Sequence, residues 1–336
     1  MHNIIVTGSI SWDVIMNFPS TFVEHVDLTK VHSLNANFVV SNLEKQFGGT
    51  ATNIAYNLSL LTPKKVAIAA GIGKDNGEHL KLFKKHKIDT SLLVFDNKHF
   101  CATGTVITDT KDNQIWGFYY GACEMGKKVK LAKFAKKNTL VIVSANHPLA
   151  FMNAQKEAIK NKIPFMYDPG MALTWITKEQ LREGIENCQF LIGNDYEVGQ
   201  ILKKAEVTEN ELLSKGKIVI TTLGEKGVIY KAQVKSQKSK VKNASQKAKV
   251  MDIEEIYVEG YKLKKAVDPT GAGDAWRGGF IAGIAEGLSV TEALKQGNAL
   301  ASFAVEKYGT VNHLPTKKQI TARARRLSIS IKEYEE

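Results

Sequence analysis

The stretch VDPTGAGDAWRGGF, Val267 to Phe280, crowds glycines and two aspartates into one turn that then runs into a helix. Glycine is costly in ordered structure unless the backbone must bend unusually or come very close to something. Gly271-Ala272-Gly273 falls where the loop enters the helix, so up to three successive N–H groups can point outward at the positive end of the helix dipole. That makes an anion site. Asp274 follows on the first turn, where a carboxylate would repel a resting phosphate. The pairing makes sense if a proton must leave a nucleophile as the anion receives it: the carboxylate draws the proton and the amides stabilise the transferring group. Phosphoryl transfer to an alcohol requires this arrangement. The plainer reading, a glycine-rich helix start with Asp274 serving only as a cap, stays open on this turn alone. Other nucleotide signatures are absent: no G-x-x-x-x-G-K-[ST] occurs, and GIGKDNG (Gly71 to Gly77) lacks the spacing of a protein-kinase or Rossmann loop. Neither a P-loop enzyme nor a protein kinase is expected.

Short β-branched runs would position this turn: Ile4 to Val6, Val66 to Ile68, Leu140 to Val143, Phe165 to Tyr167, Phe190 to Ile192 and Ile218 to Thr221. Several lack polar alternation, as in strands buried on both faces. Between them lie helix-prone segments such as GEHLKLFKKH, NAQKEAIKN, TKEQLREGIEN and EVGQILKKA. The alternation predicts an α/β fold, a doubly wound, mostly parallel central sheet flanked by helices. Two segments break the rhythm. Phe100 to Tyr120 reads as two strands around a polar turn, and Asn17 to Gln46 has little helical period. They are expected to form a small β-rich lid (about 14–46 and 100–122), the alternative being an edge extension of the central sheet. After the glycine turn, a helix from Asp274 to Glu286 carries Gly278, Gly279 and Gly283, which would leave one face bare for close packing. A second helix begins at the capping box Ser289/Glu292 and runs to about Tyr308.

With 336 residues, 43% of them hydrophobic, the chain suits one α/β domain over residues 1–336. Net charge is +12, yet seven lysines and no acid lie between Lys231 and Lys249. The excess is local, and the run (about 231–250) reads as a solvated loop or hairpin insertion, with nucleic-acid binding the weaker reading. Cys101, Cys123 and Cys188 have neither a disulfide nor a zinc-ligand spacing, which fits a reducing cytoplasm. No apolar stretch approaches membrane-spanning length, and no basic segment precedes the first apolar run, so neither export nor membrane insertion is expected.

Six motifs can be read in order. GSISWD (Gly8 to Asp13) offers Asp13 at the carboxyl edge of strand one, where open sheets bind ligands, unless Asp13 only closes a turn. In FGGTATN (Phe47 to Asn53), Gly48 and Gly49 allow a substrate close to the backbone, and Asn53 can serve vicinal hydroxyls or act as an N-cap. GIGKDNG comes next. NDYE (Asn194 to Glu197) puts Asn194 and Glu197 on one side of a helix start, a spacing that is also a capping box. TTLGEKG (Thr221 to Gly227) ends a strand in a turn, and DPTGAGD (Asp268 to Asp274) closes the series.

Motifs of these kinds, in this order, occur in the ribokinase-like (PfkB) carbohydrate and nucleoside kinases, which the chain resembles over nearly its whole length. The resemblance implies that Asp13 grips sugar hydroxyls and that Asn194 and Glu197 hold water around Mg²⁺. It implies that Thr222, Gly224 and Gly227 line the ATP phosphates and ribose, where a plain hairpin turn is the alternative. Asn298 matches a position near the adenine, where it could equally satisfy a local backbone group. Asp274 becomes the base, with Gly271, Ala272 and Gly273 forming the anion hole. FPSTFVEHV and DNQIWGFYYGA (Asp112 to Ala122) look like the bacterial adenosine kinases of the family. Gln114 and Phe118 fall where a base could be hydrogen-bonded and stacked, although Phe118 could be ordinary lid packing. Those kinases often carry a second aromatic where this chain has Gly104. ATP, Mg²⁺ and a monovalent cation such as K⁺ are the implied cofactors. The implied partner is a nucleoside, adenosine first, or a sugar, and lids of this family often pair across a homodimer.

Overall fold

The computed structural model describes residues 3–26, 36–134, 138–234 and 252–335. Its centre is a nine-stranded sheet. Six strands are parallel: β1 (Asn3–Thr7), β4 (Val66–Ala69), β9 (Thr139–Ser144), β10 (Phe165–Asp168), β11 (Phe190–Asn194) and β12 (Ile218–Thr222). Three further strands continue the sheet antiparallel from β12: β13 (Gly227–Val234), β14 (Asp252–Glu259) and β15 (Ile329–Glu335). The six parallel runs expected from sequence all form. The antiparallel extension was not expected, because its first two strands flank the lysine-rich run and only half-alternate. Residues 235–251, which include most of that run, lie outside the described residues.

Successive residues of the buried strands point to opposite faces. Ile4, Val6, Leu140 and Ile142 join one core cluster, which also holds residues of α2 (Thr50–Ser59), α8 (Ala272–Glu286) and α9 (Val290–Val305). Ile5, Val141 and Val143 join the other, with residues of α4 (Pro148–Lys160), α5 (Lys178–Asn187), α6 (Asp195–Ala205) and α7 (Glu209–Ser214). Helices thus cover both faces, as a mostly parallel sheet requires. The remaining helices, α1 (Phe22–His25), α3 (Gly77–Lys85) and α10 (Lys317–Ala324), are short.

A second, four-stranded sheet has the order β3–β2–β7–β8, from β2 (Ser11–Asn17), β3 (Asn42–Gly48), β7 (Ala102–Thr108) and β8 (Gln114–Tyr119). A two-stranded pair, β5 (Gly71–Ile72) and β6 (Val94–Phe95), completes the strands among the described residues. The two segments that broke the sequence rhythm therefore build a sheet of their own and do not extend the central one. Asp13 lies within β2 of this second sheet, not at the carboxyl edge of β1 as expected, because the chain turns at Gly8 and pairs again from Ser11.

Strand β1 lies between β9 and β4, so the chain leaves it toward one side and later fills the other. The crevice at the carboxyl ends of β1 and β9 is the switch point at which open α/β sheets bind ligands. Helix α8 fits here because it lacks side chains where its neighbours press closest. A Cβ on Gly278 would sit 2.6 Å from Asn57 Cβ of α2, and one on Gly279 would sit 2.8 Å from Gly297 Cα of α9. The bare surface is thus two faces, one per neighbour, where the sequence suggested one. Trp276 and Phe280 stack within the core at 5.1 Å.

Candidate active site

Helix α8 starts one residue after Gly271, whose φ of 76° is left-handed and which therefore favours glycine. The preceding loop is tied by buried Asp268, whose two carboxylate oxygens accept from Thr270 N and Gly309 N, both at 2.9 Å. Ala272 N–H donates to Pro269 O at 3.1 Å, whereas the N–H groups of Gly271, Gly273 and Asp274 donate to no acceptor among the described residues. The free donors of this helix start are thus those three. Ala272, expected among them, is already engaged.

Half-buried Asp274 Oδ2 accepts from Asn53 Nδ2 at 2.8 Å. Asn53 lies on the first turn of α2 behind the cap Gly49, so it is not itself the N-cap. Its Oδ1 is buried and has no hydrogen-bond partner among the described residues. An acceptor left this way costs about 1–3 kcal/mol, a penalty that a hydroxyl donor would relieve. Burial pushes the Asp274 carboxyl up to about 6, with Arg277 and Asn53 opposing the rise and the charges of Asp168 and Asp13 adding to it. Asp13 is also pushed up to about 6, mainly by burial; the Ser11 hydroxyl opposes this and Asp268 adds to it. Two carboxyls raised by burial, the charge of Asp13 adding to the rise at Asp274, are a pattern frequent at catalytic sites.

Strand register groups a further set of the candidate residues. Asp13 stands opposite Gln46 of β3 and Gly104 of β7, and Gly104 stands opposite Phe118 of β8. A Cβ on Gly104 would lie 3.4 Å from Asp13 Oδ1, 3.5 Å from Trp116 and 3.6 Å from Phe118. The carboxylate and both rings therefore share one face around the space that glycine leaves. Phe118 is 49% exposed and meets Tyr120 edge-on at 5.1 Å, so it is not packed away as core. Gln114 stands four residues before Phe118 in β8 and meets this group only through Trp116, whose Nε1 donates to its Oε1, while its Nε2 donates to Thr108 Oγ1. Gly48 is required by Asp13 itself, since a Cβ would come within 2.3 Å of both its carboxylate oxygens. Gly49 approaches the Ser9 carbonyl, with 2.4 Å left for a Cβ. Both glycines thus fit protein groups on the side where a Cβ would stand.

On the other side of the helix start lies a cavity of about 860 Å³. Thr222, Gly224 and Gly227 line it, as do Gly273, Trp276 and Asn298. Asn298 does not read a ligand with its amide: Oδ1 accepts from Trp276 Nε1 at 2.6 Å, and Nδ2 donates to the carbonyls of Val258 and Glu259. It fixes the walls instead. Asn194 and Glu197 form the complete capping box of α6, through bonds of 2.7 and 2.9 Å, and neither lines this cavity. Glu197 Oε1 takes no part in that box, and among the described residues no group of three or more His, Cys, Asp or Glu could hold a metal ion. What the chain offers a divalent cation here is one carboxylate oxygen, a donor set suited to binding through water.

Sequence reasoning missed Arg277 and Asp168, which form a buried ion pair at 2.6 Å beneath the helix start. The signal was present. An arginine within the glycine- and alanine-rich run AGDAWRGGFIAGIAE has no solvated face to occupy, and buried arginines are paired.

A mostly parallel sheet, a helix start with three free N–H groups, a carboxylate on its first turn and a cavity beside it suit a phosphotransferase with an alcohol acceptor. The chain belongs to the pfkB family of carbohydrate kinases, whose profile matches residues 1–317, and it is an ATP-using kinase of the nucleoside and carbohydrate class. A nucleoside kinase of Methanocaldococcus jannaschii is 26% identical over 325 residues, covering 96% of this chain and 97% of that protein. One from Methanothermobacter thermautotrophicus is 28% identical over 294 residues, covering 86% and 88%. The ligand-free structure of a Burkholderia thailandensis nucleoside kinase superposes with a TM-score of 0.79 at 27% identity, covering 96% of this chain and 99% of that one. That kinase has also been solved in complex with inosine.

Proposed function

We propose that this kinase transfers the γ-phosphoryl group of ATP to the 5′-hydroxyl of a nucleoside, with adenosine as acceptor. The observation that carries the reading is the Asn53–Asp274 contact. It joins a carboxylate at the edge of the donor cavity to an amide whose second polar atom is unmatched. Asp13 and the free Asn53 Oδ1 accept from the ribose hydroxyls, and the base lies over Phe118 in the space beside Gly104. Asp274 takes the proton from the 5′-oxygen as that oxygen bonds to the γ-phosphorus. The bond from phosphorus to the β,γ-bridging oxygen breaks, and its electron pair leaves with ADP. The N–H groups of Gly271, Gly273 and Asp274 meet the charge on the phosphoryl oxygens. Thr222, Gly224 and Gly227 hold the donor phosphates, and Glu197, with Asn194 beside it, would hold Mg²⁺ through water. Bound there, Mg²⁺ supplies charge neutralisation at the phosphates. The second sheet closes as a lid and excludes water as a competing acceptor, and its exposed β8 face pairs two copies in a homodimer.

A second reading, inosine as acceptor, is favoured by the inosine complex of the Burkholderia thailandensis kinase. An ADP-release assay over adenosine, inosine, guanosine, ribose and fructose 6-phosphate, with and without Mg²⁺ and K⁺, decides between them. Preference for a sugar without a base would overturn the nucleoside reading altogether.

A further inference from the structure

Arg277 sits three residues beyond Asp274 on α8, and its side chain is only 8% exposed. Nη2 donates to Asp168 Oδ1 at 2.6 Å, and Asp168 Oδ2 accepts from Ser144 Oγ at 2.8 Å, so the anchor is held at both oxygens. Nη1 lies 2.8 Å from where a Cβ of Gly273 would be, which places the guanidinium directly against the phosphate-facing turn. Nε is buried and without a partner among the described residues. Stability alone gives weak reason for such a group. A buried ion pair is often replaced by apolar residues at no loss, and an unmade buried donor is itself destabilising. What an apolar residue could not supply is the charge.

We infer that Arg277, anchored by Asp168, is a positioning residue that holds a fixed positive charge against the Gly271–Gly273 turn and so keeps Asp274 in its proton-accepting form. The inference rests on the reading of Asp274 as the base. The charged and polar groups acting on Asp274 are Arg277 from its own helix, the neutral amide of Asn53 from α2, Asp168 from β10 and Asp13 from β2. Only Arg277 among them is positive. Glu197 at the start of α6 acts on Arg277 in turn. Burial and two carboxylates favour the protonated Asp274, so removing the arginine leaves nothing but Asn53 to oppose them. Removing Asp168 instead takes away one of the repelling charges. The two members of one ion pair therefore have opposite effects on a third residue, which a merely structural role would not produce.

The test is the pH profile of kcat with saturating ATP and the best acceptor of the ADP-release panel, for the wild type, Arg277→Met, Arg277→Lys, Asp168→Asn and Asp274→Asn. Arg277→Met should move the acid limb upward by about one pH unit or more, Asp168→Asn should move it downward, and Arg277→Lys should leave it near the wild type, with KM for the acceptor within about twofold throughout. An unmoved limb in an Arg277→Met protein that melts cooperatively, or shifts of the same sign in both pair variants, overturns the inference. Should Arg277→Met fail to fold, the direction in Asp168→Asn decides: downward supports, unmoved or upward refutes. Wild-type turnover in Asp274→Asn would instead defeat the base assignment, independently of how the arginine variants behave.

Discussion

Asn53 and Asp274 are 221 residues apart in the chain and 2.8 Å apart in space, the Nδ2 of one donating to the Oδ2 of the other. This bond joins α2 to α8, the helix that carries the carboxylate and opens on the glycine turn. If that carboxylate draws the substrate proton, Asp274→Asn should keep both substrates bound and lose kcat by about 10²–10⁴, the usual worth of general base catalysis. Calorimetric titration beside the ADP-release assay separates the two. Turnover within tenfold of the wild type would remove Asp274 from the chemistry.

Acidification should act in the same place. The carboxyls of Asp274 and Asp13 are both pushed up to about 6, so each is ionised above that pH and protonated below it. A protonated Asp274 cannot accept a proton, and kcat/KM should therefore fall as pH drops through about 6 and be level from about 7 to 8. A profile level down to pH 5 would contradict the assignment.

Phe118→Ala tests the acceptor's base. Stacking of a base on an aromatic ring is worth about 1–3 kcal/mol, so kcat/KM for the preferred nucleoside should drop about 5- to 150-fold. Any slow activity on free ribose should not change, since a sugar has no π-face. Equal losses on both would make Phe118 a packing residue of the second sheet.

Asn298→Leu removes an acceptor from Trp276 Nε1 and a donor from the Val258 and Glu259 carbonyls. Each buried group left unpaired costs about 1–3 kcal/mol. Urea denaturation should show the loss, and KM for ATP should rise while KM for the nucleoside stays near its original value. A larger effect on the nucleoside would place Asn298 on the wrong side of the helix start.

Gly279→Ala probes the seam between α8 and α9. Its methyl group would sit 2.8 Å from Gly297 Cα and 3.0 Å from Gln296 O, both backbone atoms that cannot swing aside. Overpacking of this kind costs about 1–3 kcal/mol and should lower the denaturation midpoint.

The six parallel strands were legible because each centres on an unbroken apolar run of three or four residues, a pattern that reads as buried strand once helices separate the runs. The glycine turn was legible for a similar reason, since few structures tolerate Gly271-Ala272-Gly273 before an aspartate. Relationships fixed by register were not. Asp13, Gly104 and Phe118 meet only because three strands align them, and nothing in the spacing of 13, 104 and 118 says so. Gln114 shows the converse: it shares the face of Phe118 yet lies two alternations away, tied to Thr108 and Trp116. Capping boxes were legible as local chemistry, and at Asn194 and Glu197 that local chemistry is what formed. The Arg277–Asp168 pair spans 109 residues and joins two different elements, α8 and β10. One half was visible as a charge in an apolar helix, while its partner could be found only in space.

The missing side chains on α8 make it a spacer of fixed thickness between the element that receives and the element that gives. Rotamers can wobble, but backbone resting on backbone or on a Cβ cannot, so the separation of the flanking helices α2 and α9 is set by main-chain dimensions. Either flank can then evolve new ligand preferences on its outer surface without retuning the distance between them.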